Sequence, residues 1–175
     1  MDISKIPAGV NIPDEFNVII EIPIGGDPIK YELDKDSGAL FVDRFLHTSM
    51  VYPANYGFIP HTLSEDGDPC DVMVVGRRPL MPGCVIACRP IGAIIMEDES
   101  GQDEKIVAVP VDKLHPFYRD VKSYKDLPPL LADQFTHFFE HYKDLEDNKW
   151  VKVKEWVGVE ETKKLIMAGL AAAEK

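Results

Sequence analysis

Three aspartates, Asp66, Asp68 and Asp71, stand within six residues of one another. Gly67 and Pro69 lie between them and disfavour a helix, which places the carboxylates in a loop. Two carboxylates held about 4 Å apart repel by about 1 kcal/mol in water and about 4 kcal/mol at a surface-like dielectric, which indicates a compensating cation. Because the nearby side-chain donors are oxygens, that cation would be hard, as Mg²⁺, Mn²⁺ and Ca²⁺ are.

A calcium-binding EF-hand loop does not fit this segment. Cys70 stands at the fifth position of such a loop, the sixth position lacks glycine, and the twelfth lacks glutamate. An ordinary solvated acidic loop stays open as the alternative interpretation.

A second acidic group consists of Glu97, Asp98 and Glu99, with Asp103 a few residues later. Taken alone, this run of charge is typical of a solvated loop between strands. However, two acidic loops that follow separate strands of one small barrel can converge at the same mouth, and the two groups together would then bind cations.

Basic and phenolic side chains that could hold an anion occur elsewhere, at Lys30, Arg44, Lys143, Tyr52 and Tyr56. Individually, these lysines and this arginine are typical of surface charges, and the tyrosines are typical of buried packing. Tyrosine hydroxyls can also donate to an oxyanion. Carboxylates for a hard metal, together with Lys, Arg and Tyr donors, are what phosphoryl transfer requires.

Other catalytic and metal-binding patterns do not occur in the sequence. It contains no Gly-x-Ser-x-Gly elbow, no Ser-His-Asp order and no Walker loop. His137 and His141 are four residues apart but lack the glutamate of a zincin motif. Three cysteines without a CxxC pair predict small buried hydrophobic residues at Cys70, Cys84 and Cys88 in a reducing compartment.

The elements that must position these residues are mainly strands in the first two-thirds of the chain. Residues 16–22 and 29–33 read as strands, and the turn at 25–28 predicts a hairpin between them. Further apolar runs predict strands at 39–42, 72–75, 85–88, 91–96 and 106–109. Short strands separated by turn signals favour a small closed barrel.

The last third of the chain changes to helical periodicity. Apolar residues in 127–145 fall three or four apart, which predicts an amphipathic helix. A short strand is predicted at 150–154 and a terminal helix at 160–173.

Length and composition predict one soluble globular domain over residues 1–175. The 175 residues are 45% hydrophobic and 28% charged, with a formal net charge of −11. This charge argues against nucleic acid or an anionic membrane surface as partner. No window approaches the roughly 18 apolar residues of a membrane helix. Since the N-terminus lacks signal-peptide features, we expect a cytoplasmic protein.

At these residues the sequence closely resembles the family I soluble inorganic pyrophosphatases of bacteria. The segment Asp66-Gly67-Asp68-Pro69-Cys70-Asp71-Val72 is similar to the family signature, with Cys70 where an aliphatic residue is usual. That departure bears on packing, since Cys70 is not expected to bind metal. The likeness runs nearly end to end and includes residues 6–9, 27–32, 37–44, 52–57 and 137–143.

The resemblance implies a mainly β member of the α+β class, with an OB-like five-stranded closed barrel and flanking C-terminal helices. It also implies a cytoplasmic homohexamer that hydrolyses pyrophosphate to two orthophosphates. Mg²⁺ would be the cofactor, several ions per active site, with Mn²⁺ or Zn²⁺ as substitutes.

Roles for individual residues follow from the resemblance alone. Asp68 would be the general base on the attacking water, and Asp71 would be shared between two metals. The full set of metal ligands would be Asp66, Asp71, Asp103, Asp98 and Glu21. The phosphates would be bound by Lys30, Arg44, Tyr56, Tyr142 and Lys143. The supporting residues would be Glu32, Tyr52, Glu99 and Lys105.

Two alternatives from other classes stay open at this point. A calcium-binding module would use both acidic loops only to stabilise the fold. An OB-type nucleic-acid binder is compatible with a small barrel, because fold does not determine function. The net charge of −11 and the lack of a basic aromatic groove weigh against the second alternative.

Overall fold

Residues 1–174, which this computed structural model describes, form eight strands and two α-helices. The strands are β1 (Phe16–Ile22), β2 (Ile29–Leu33), β3 (Leu40–Phe45), β4 (Asn55–Phe58), β5 (Asp71–Val74), β6 (Val85–Asp98), β7 (Gly101–Pro110) and β8 (Val151–Val157). The helices are α1 (Pro129–His141) and α2 (Val159–Ala173), and 3₁₀ turns occupy Ile3–Lys5, Pro116–Tyr118 and Tyr124–Asp126. Lys175, the last residue of the predicted domain, lies outside the described residues.

Five strands close into a ring in the order β1, β4, β5, β7 and β6, and β6 pairs back with β1. The β5–β7 pair is parallel, and the other pairs in the ring are antiparallel. β8 adds to β6 outside the ring, and β2 and β3 form a separate two-stranded sheet. Together with the two C-terminal helices, this ring confirms the predicted OB-like barrel.

Strand register brings the two acidic segments to one end of the barrel. Asp71 opens β5 and lies opposite Lys105 of β7. Asp103, two residues earlier on β7, lies opposite Met96 near the end of β6. β6 itself ends at Asp98. The sheet therefore fixes the backbone positions of the acidic residues relative to one another.

Both faces of the central strands are buried, which explains their continuous apolar sequence. Val72 of β5 packs in a cluster with Ile166 of α2. The next residue, Met73, packs in a second cluster with the α1 residues Phe135 and Phe138. Because successive strand residues point to opposite faces, each side of β5 meets a different helix.

Most strand and helix predictions agree with the structure, but the β1–β2 hairpin is wrong. β1 pairs with β4 and β6, whereas β2 pairs with β3. The predicted strands 85–88 and 91–96 are one strand, β6, whose register shifts between Pro90 and Gly92. β4 was missed, because its four residues contain a glycine and follow a proline-bearing segment. Among residues 1–174, neither helix combines the length and apolar character that a membrane crossing requires.

Candidate active site

A buried lysine joins two of the predicted metal-binding aspartates. Lys105 Nζ lies 2.6 Å from Asp71 Oδ2 and 2.8 Å from a carboxylate oxygen of Asp103. Burial by itself would lower the pKa of Lys105, but the two carboxylates outweigh it and hold that pKa well above the usual value. Burial raises the pKa of Asp103, and the Lys105 charge opposes this shift. The two carboxylates thus face one common cation.

A second lysine cluster links the β6–β7 turn to the segment after α1. Lys143 Nζ lies 2.9 Å from Asp98 Oδ2 and 3.7 Å from Glu99 Oε1. Lys149 also contacts Glu99. Burial acts to raise the pKa of Asp98, but the hydrogen bond from Lys143 contributes to a net lowering. Asp98 and Glu99, predicted in one acidic segment, are therefore neighbours of Lys143, which was predicted in another.

Asp68 lies in the turn between Asp66 and Asp71. The Asp68 backbone N–H donates to Asp66 Oδ1 at 3.0 Å. Gly67 adopts a φ of +92°, which a residue with a side chain rarely adopts, so the turn requires glycine. Burial, followed by the charges of Asp66 and Asp71, raises the pKa of Asp68. A carboxylate with a raised pKa is a better proton acceptor.

A small pocket brings together side chains from four parts of the chain, and six of them are predicted site residues. Its lining consists of Glu21, Lys30, Glu32, Leu33, Lys35, Tyr56, Phe58, Asp68, Pro69 and Asp71. Glu21 is deeply buried and accepts a hydrogen bond from the Leu33 backbone N–H at 2.7 Å. Burial nevertheless raises the pKa of Glu21 to about 8. A cation in this pocket would favour the charged form of that carboxyl group.

Three predicted tyrosines form a buried group beside the carboxylates. The rings of Tyr52 and Tyr56 have centroids 5.2 Å apart, and those of Tyr52 and Tyr142 are 6.5 Å apart. Burial raises the pKa of all three hydroxyls. They therefore remain protonated near neutral pH and can donate to a phosphate oxygen.

The β2–β3 hairpin carries the remaining predicted basic residues. Lys30 on β2 lies opposite Arg44 on β3. Lys30 Nζ contacts Glu32 and lies 3.5 Å from Asp43 Oδ2, while Arg44 Nη1 lies 3.4 Å from the same Asp43 oxygen. The hairpin thus presents two cations on one side, with acidic side chains that hold them.

The predicted metal ligands do not converge on a single point as they stand. Within residues 1–174, no three carboxylate, imidazole or thiol groups are arranged as a ready-made metal site. Asp66 contacts the Asp68 backbone, whereas Asp71 and Asp103 contact Lys105. The donors nevertheless fit a hard divalent ion chemically, because they are carboxylate oxygens and two of them already surround a positive charge.

Several residues near the site were not predicted from the sequence. Lys35 lines the pocket, Lys149 binds Glu99, and Glu146 lies beside Arg44. Each is a charged residue in a polar segment without a motif, so only the fold shows that it faces the site.

Comparison with known proteins agrees with this architecture. The family model described as inorganic pyrophosphatase matches residues 18–174. An inorganic pyrophosphatase of Caulobacter vibrioides is 62% identical over 170 residues, which are 97% of this chain and 96% of that protein. A solved inorganic phosphatase of Anaplasma phagocytophilum has a TM-score of 0.96 at 48% identity, covering 98% of this chain and 100% of its own. A solved inorganic pyrophosphatase of Thermus thermophilus has a TM-score of 0.94 at 37% identity, and the match covers 100% of both chains. The resemblance read from the sequence is confirmed, and the chain belongs to the inorganic pyrophosphatase family.

Proposed function

We propose that this chain hydrolyses inorganic pyrophosphate to two orthophosphates with Mg²⁺ as cofactor and Asp68 as general base. Membership of the family supports the hydrolase activity and the substrate. The observation that carries the metal proposal is the placement of Asp71 and Asp103 around one positive charge, Lys105 Nζ. Such a pair of carboxylates can hold a divalent ion beside an anionic substrate.

Contacts of the proposed metal ligands support a site for several ions. Asp71 and Asp103 already share one cation, the ammonium group of Lys105. Asp66 lies in the same turn as Asp68. Asp98 would bind a further ion from the end of β6, and Glu21 would do so from the pocket. Mg²⁺ at these carboxylates would neutralise phosphate charge and lower the pKa of a bound water, and Mn²⁺ or Zn²⁺ would be its substitutes.

Asp68 would accept the proton of the attacking water. As the water oxygen forms a bond to one phosphorus, the bond from that phosphorus to the bridging oxygen breaks, and the second phosphate departs. The raised pKa of Asp68 brings its basicity closer to neutral pH, where proton transfer is more effective.

Five side chains would bind the phosphates and stabilise the departing one. The ammonium and guanidinium donors are Lys30, Arg44 and Lys143, and the hydroxyl donors are Tyr56 and Tyr142. Fixed donors of this kind act without reorganisation during the reaction. Glu32, Tyr52, Glu99 and Lys105 would support them, since Glu32 contacts Lys30, Glu99 lies beside Lys143, and Lys105 neutralises Asp71 until a metal binds.

Orthophosphate release from pyrophosphate, measured with Mg²⁺ and with a chelator, tests the proposal. We expect rapid release that requires the metal, and much slower release from ATP as the control substrate. Thermal stabilisation by Ca²⁺ without any phosphate release would instead support a calcium-binding module.

We also propose a cytoplasmic homohexamer, as the resemblance implies. The exposed face of α1 supports an interface, because Leu130 is 68% exposed. Leu130, Leu131 and His137 line a broad apolar groove together with Val51 and Pro53. A second copy of the chain would cover this apolar surface.

A further inference from the structure

Glu146 is a nearly buried acidic residue in the segment between α1 and β8. Its side chain is only 9% exposed, and its Oε1 lies 3.1 Å from Arg44 Nε. Arg44 Nε and Glu146 Oε2 are both buried and lack a hydrogen-bond partner in the part of the chain that the structure describes. The two side chains are therefore close, but the Nε–H of Arg44 does not point at the Glu146 carboxylate. Burying an unsatisfied carboxylate oxygen is costly, so this placement needs a reason beyond packing.

Arg44 needs an anchor, because its strand does not belong to the barrel. β3 pairs only with β2 among the described strands, and its residues are mostly exposed. The position of Arg44 relative to the carboxylates consequently depends on side-chain contacts. Glu146 supplies such a contact from outside the hairpin.

The segment that carries Glu146 also carries two of the proposed phosphate-binding residues. Tyr142 and Lys143 precede Glu146 by one turn, and the Glu146 backbone N–H donates to the Lys143 carbonyl at 2.9 Å. The same segment is tied to the chain beyond β3, because the Thr48 hydroxyl donates to the Tyr142 carbonyl at 3.3 Å. Glu146 thus joins the Arg44 side of the site to the Tyr142 side.

We propose that Glu146 is a positioning residue for Arg44, an inference that rests on the proposed function. Its carboxylate lies 3.1 Å from Nε of the guanidinium, and the Asp43 carboxylate lies 3.4 Å from Nη1. Since these two contacts involve Nη1 and Nε, Nη2 would be the nitrogen that binds a phosphate oxygen. Because guanidinium is planar, holding Nε also sets the direction of both terminal nitrogens.

Steady-state kinetics of Glu146→Gln test this role, with Asp147→Asn as the matched control. Both changes remove one negative charge from the same segment, but Asp147 is exposed and makes no ion pair among the described residues. We expect Glu146→Gln to raise KM for pyrophosphate by about tenfold and to lower kcat by less than about threefold, since positioning a binding group affects mainly ground-state affinity. Asp147→Asn should change neither constant by more than about twofold, as expected for a change at an exposed site.

A double-mutant cycle with Arg44→Lys separates positioning from a general structural effect. Lysine has no Nε edge for Glu146 to hold, so Glu146→Gln should have little further effect on KM in the Arg44→Lys background. Melting temperatures of all four proteins should agree within a few degrees.

Two results would overturn the inference while leaving the proposed function intact. One is active wild-type enzyme for which Glu146→Gln and Asp147→Asn have the same KM. The other is full additivity of the Glu146 and Arg44 changes. Absence of pyrophosphate hydrolysis by the wild-type chain would instead refute the proposed function itself.

Discussion

Lysine ammonium groups neutralise the carboxylates that are proposed to bind metal. Lys105 forms ion pairs with Asp71 and Asp103, and Lys143 forms one with Asp98. A divalent ion at either place would compete with an ammonium group for the same oxygens. We therefore expect metal binding to release both lysines, and Lys143 would then be free to bind a phosphate.

Replacing Asp68 tests the proton acceptor. Asp68→Asn keeps the shape of the side chain but cannot accept a proton as readily, so kcat should fall by about 100-fold or more. The Mg²⁺ dependence should stay close to that of the wild type, because Asp68 is not a proposed ligand. Near wild-type turnover would remove Asp68 from the mechanism.

Replacing Asp71 tests the shared metal ligand. Asp71→Asn removes a charge that faces Lys105 and a proposed metal, so the Mg²⁺ concentration for half-maximal activity should rise by about tenfold or more. The exposed Asp120→Asn is the control for a general loss of charge. An unchanged metal titration for Asp71→Asn would contradict its role.

The raised pKa of Glu21 predicts a specific dependence of stability on pH. Its pKa is about 8 in the folded chain against an ordinary 4.5, so the folded chain holds a proton that the unfolded chain releases between these values. Stability from this group is therefore present below about pH 4.5 and is lost as the pH rises toward 8. Glu21→Gln cannot titrate and should lack this loss.

Urea unfolding in a chelator at pH 5 and at pH 8 measures this effect. From pH 5 to pH 8, the free energy of unfolding of the variant should rise by roughly 2 to 4 kcal/mol relative to that of the wild type. This is less than the free energy of the full pKa shift, because Glu21 is not completely buried. The comparison between the two proteins cancels the contribution of other titrating groups. An equal stability difference at both pH values would show that Glu21 is charged in the folded chain.

At the scale of elements, close contact between β1 and β4 depends on Gly57. A Cβ at this position would lie 1.9 Å from the Ile19 carbonyl oxygen, which belongs to the backbone and cannot easily move. Gly57→Ala should therefore destabilise the barrel by about 3 kcal/mol or more. Gly158→Ala is the matched control, because nothing lies within 4 Å of its Cβ. Equal thermal melting of the two variants would show that the β1–β4 contact can relax.

Much of this architecture follows from local sequence, and the exceptions have physical causes. Helix α1 was predicted because its apolar residues repeat every three or four positions, and β1 was predicted because it is rich in β-branched residues. The pairing of β1 with β4 and β6 depends on contacts distant in the chain, which local turn signals do not encode. β4 lacks any periodic pattern in its four residues.

In the candidate site, too, some residues could be predicted from local sequence and others could not. The aspartates of the 66–71 segment were visible because three carboxylates in one loop are unusual. The position of Glu21 came only from the family resemblance, since a single buried Glu has no spacing to identify it. Glu146 and Lys149 lie in a polar segment without a motif. Their proximity to the site is seen only in the fold, which places Glu146 beside Arg44 and Lys149 beside Glu99.

At the scale of the whole molecule, the proposed homohexamer makes a prediction about size. The chain has a mass of 19.6 kDa, and light scattering should give about six times this value. Leu130→Glu would place a charge on the exposed apolar face of α1 and should shift the assembly toward smaller species. A monomeric mass for the wild-type chain at all concentrations would exclude the hexamer.

The central claim is that carboxylates from separate segments gather around divalent ions at one end of the barrel. Anomalous diffraction from crystals soaked in Mn²⁺ tests this claim most directly. We expect an ion about 2.0 to 2.3 Å from carboxylate oxygens of Asp71 and Asp103, with Asp66 turned toward it and Lys105 displaced. Ions that contact at most one of Asp66, Asp71 and Asp103, at Mn²⁺ concentrations that support activity, would contradict the claim.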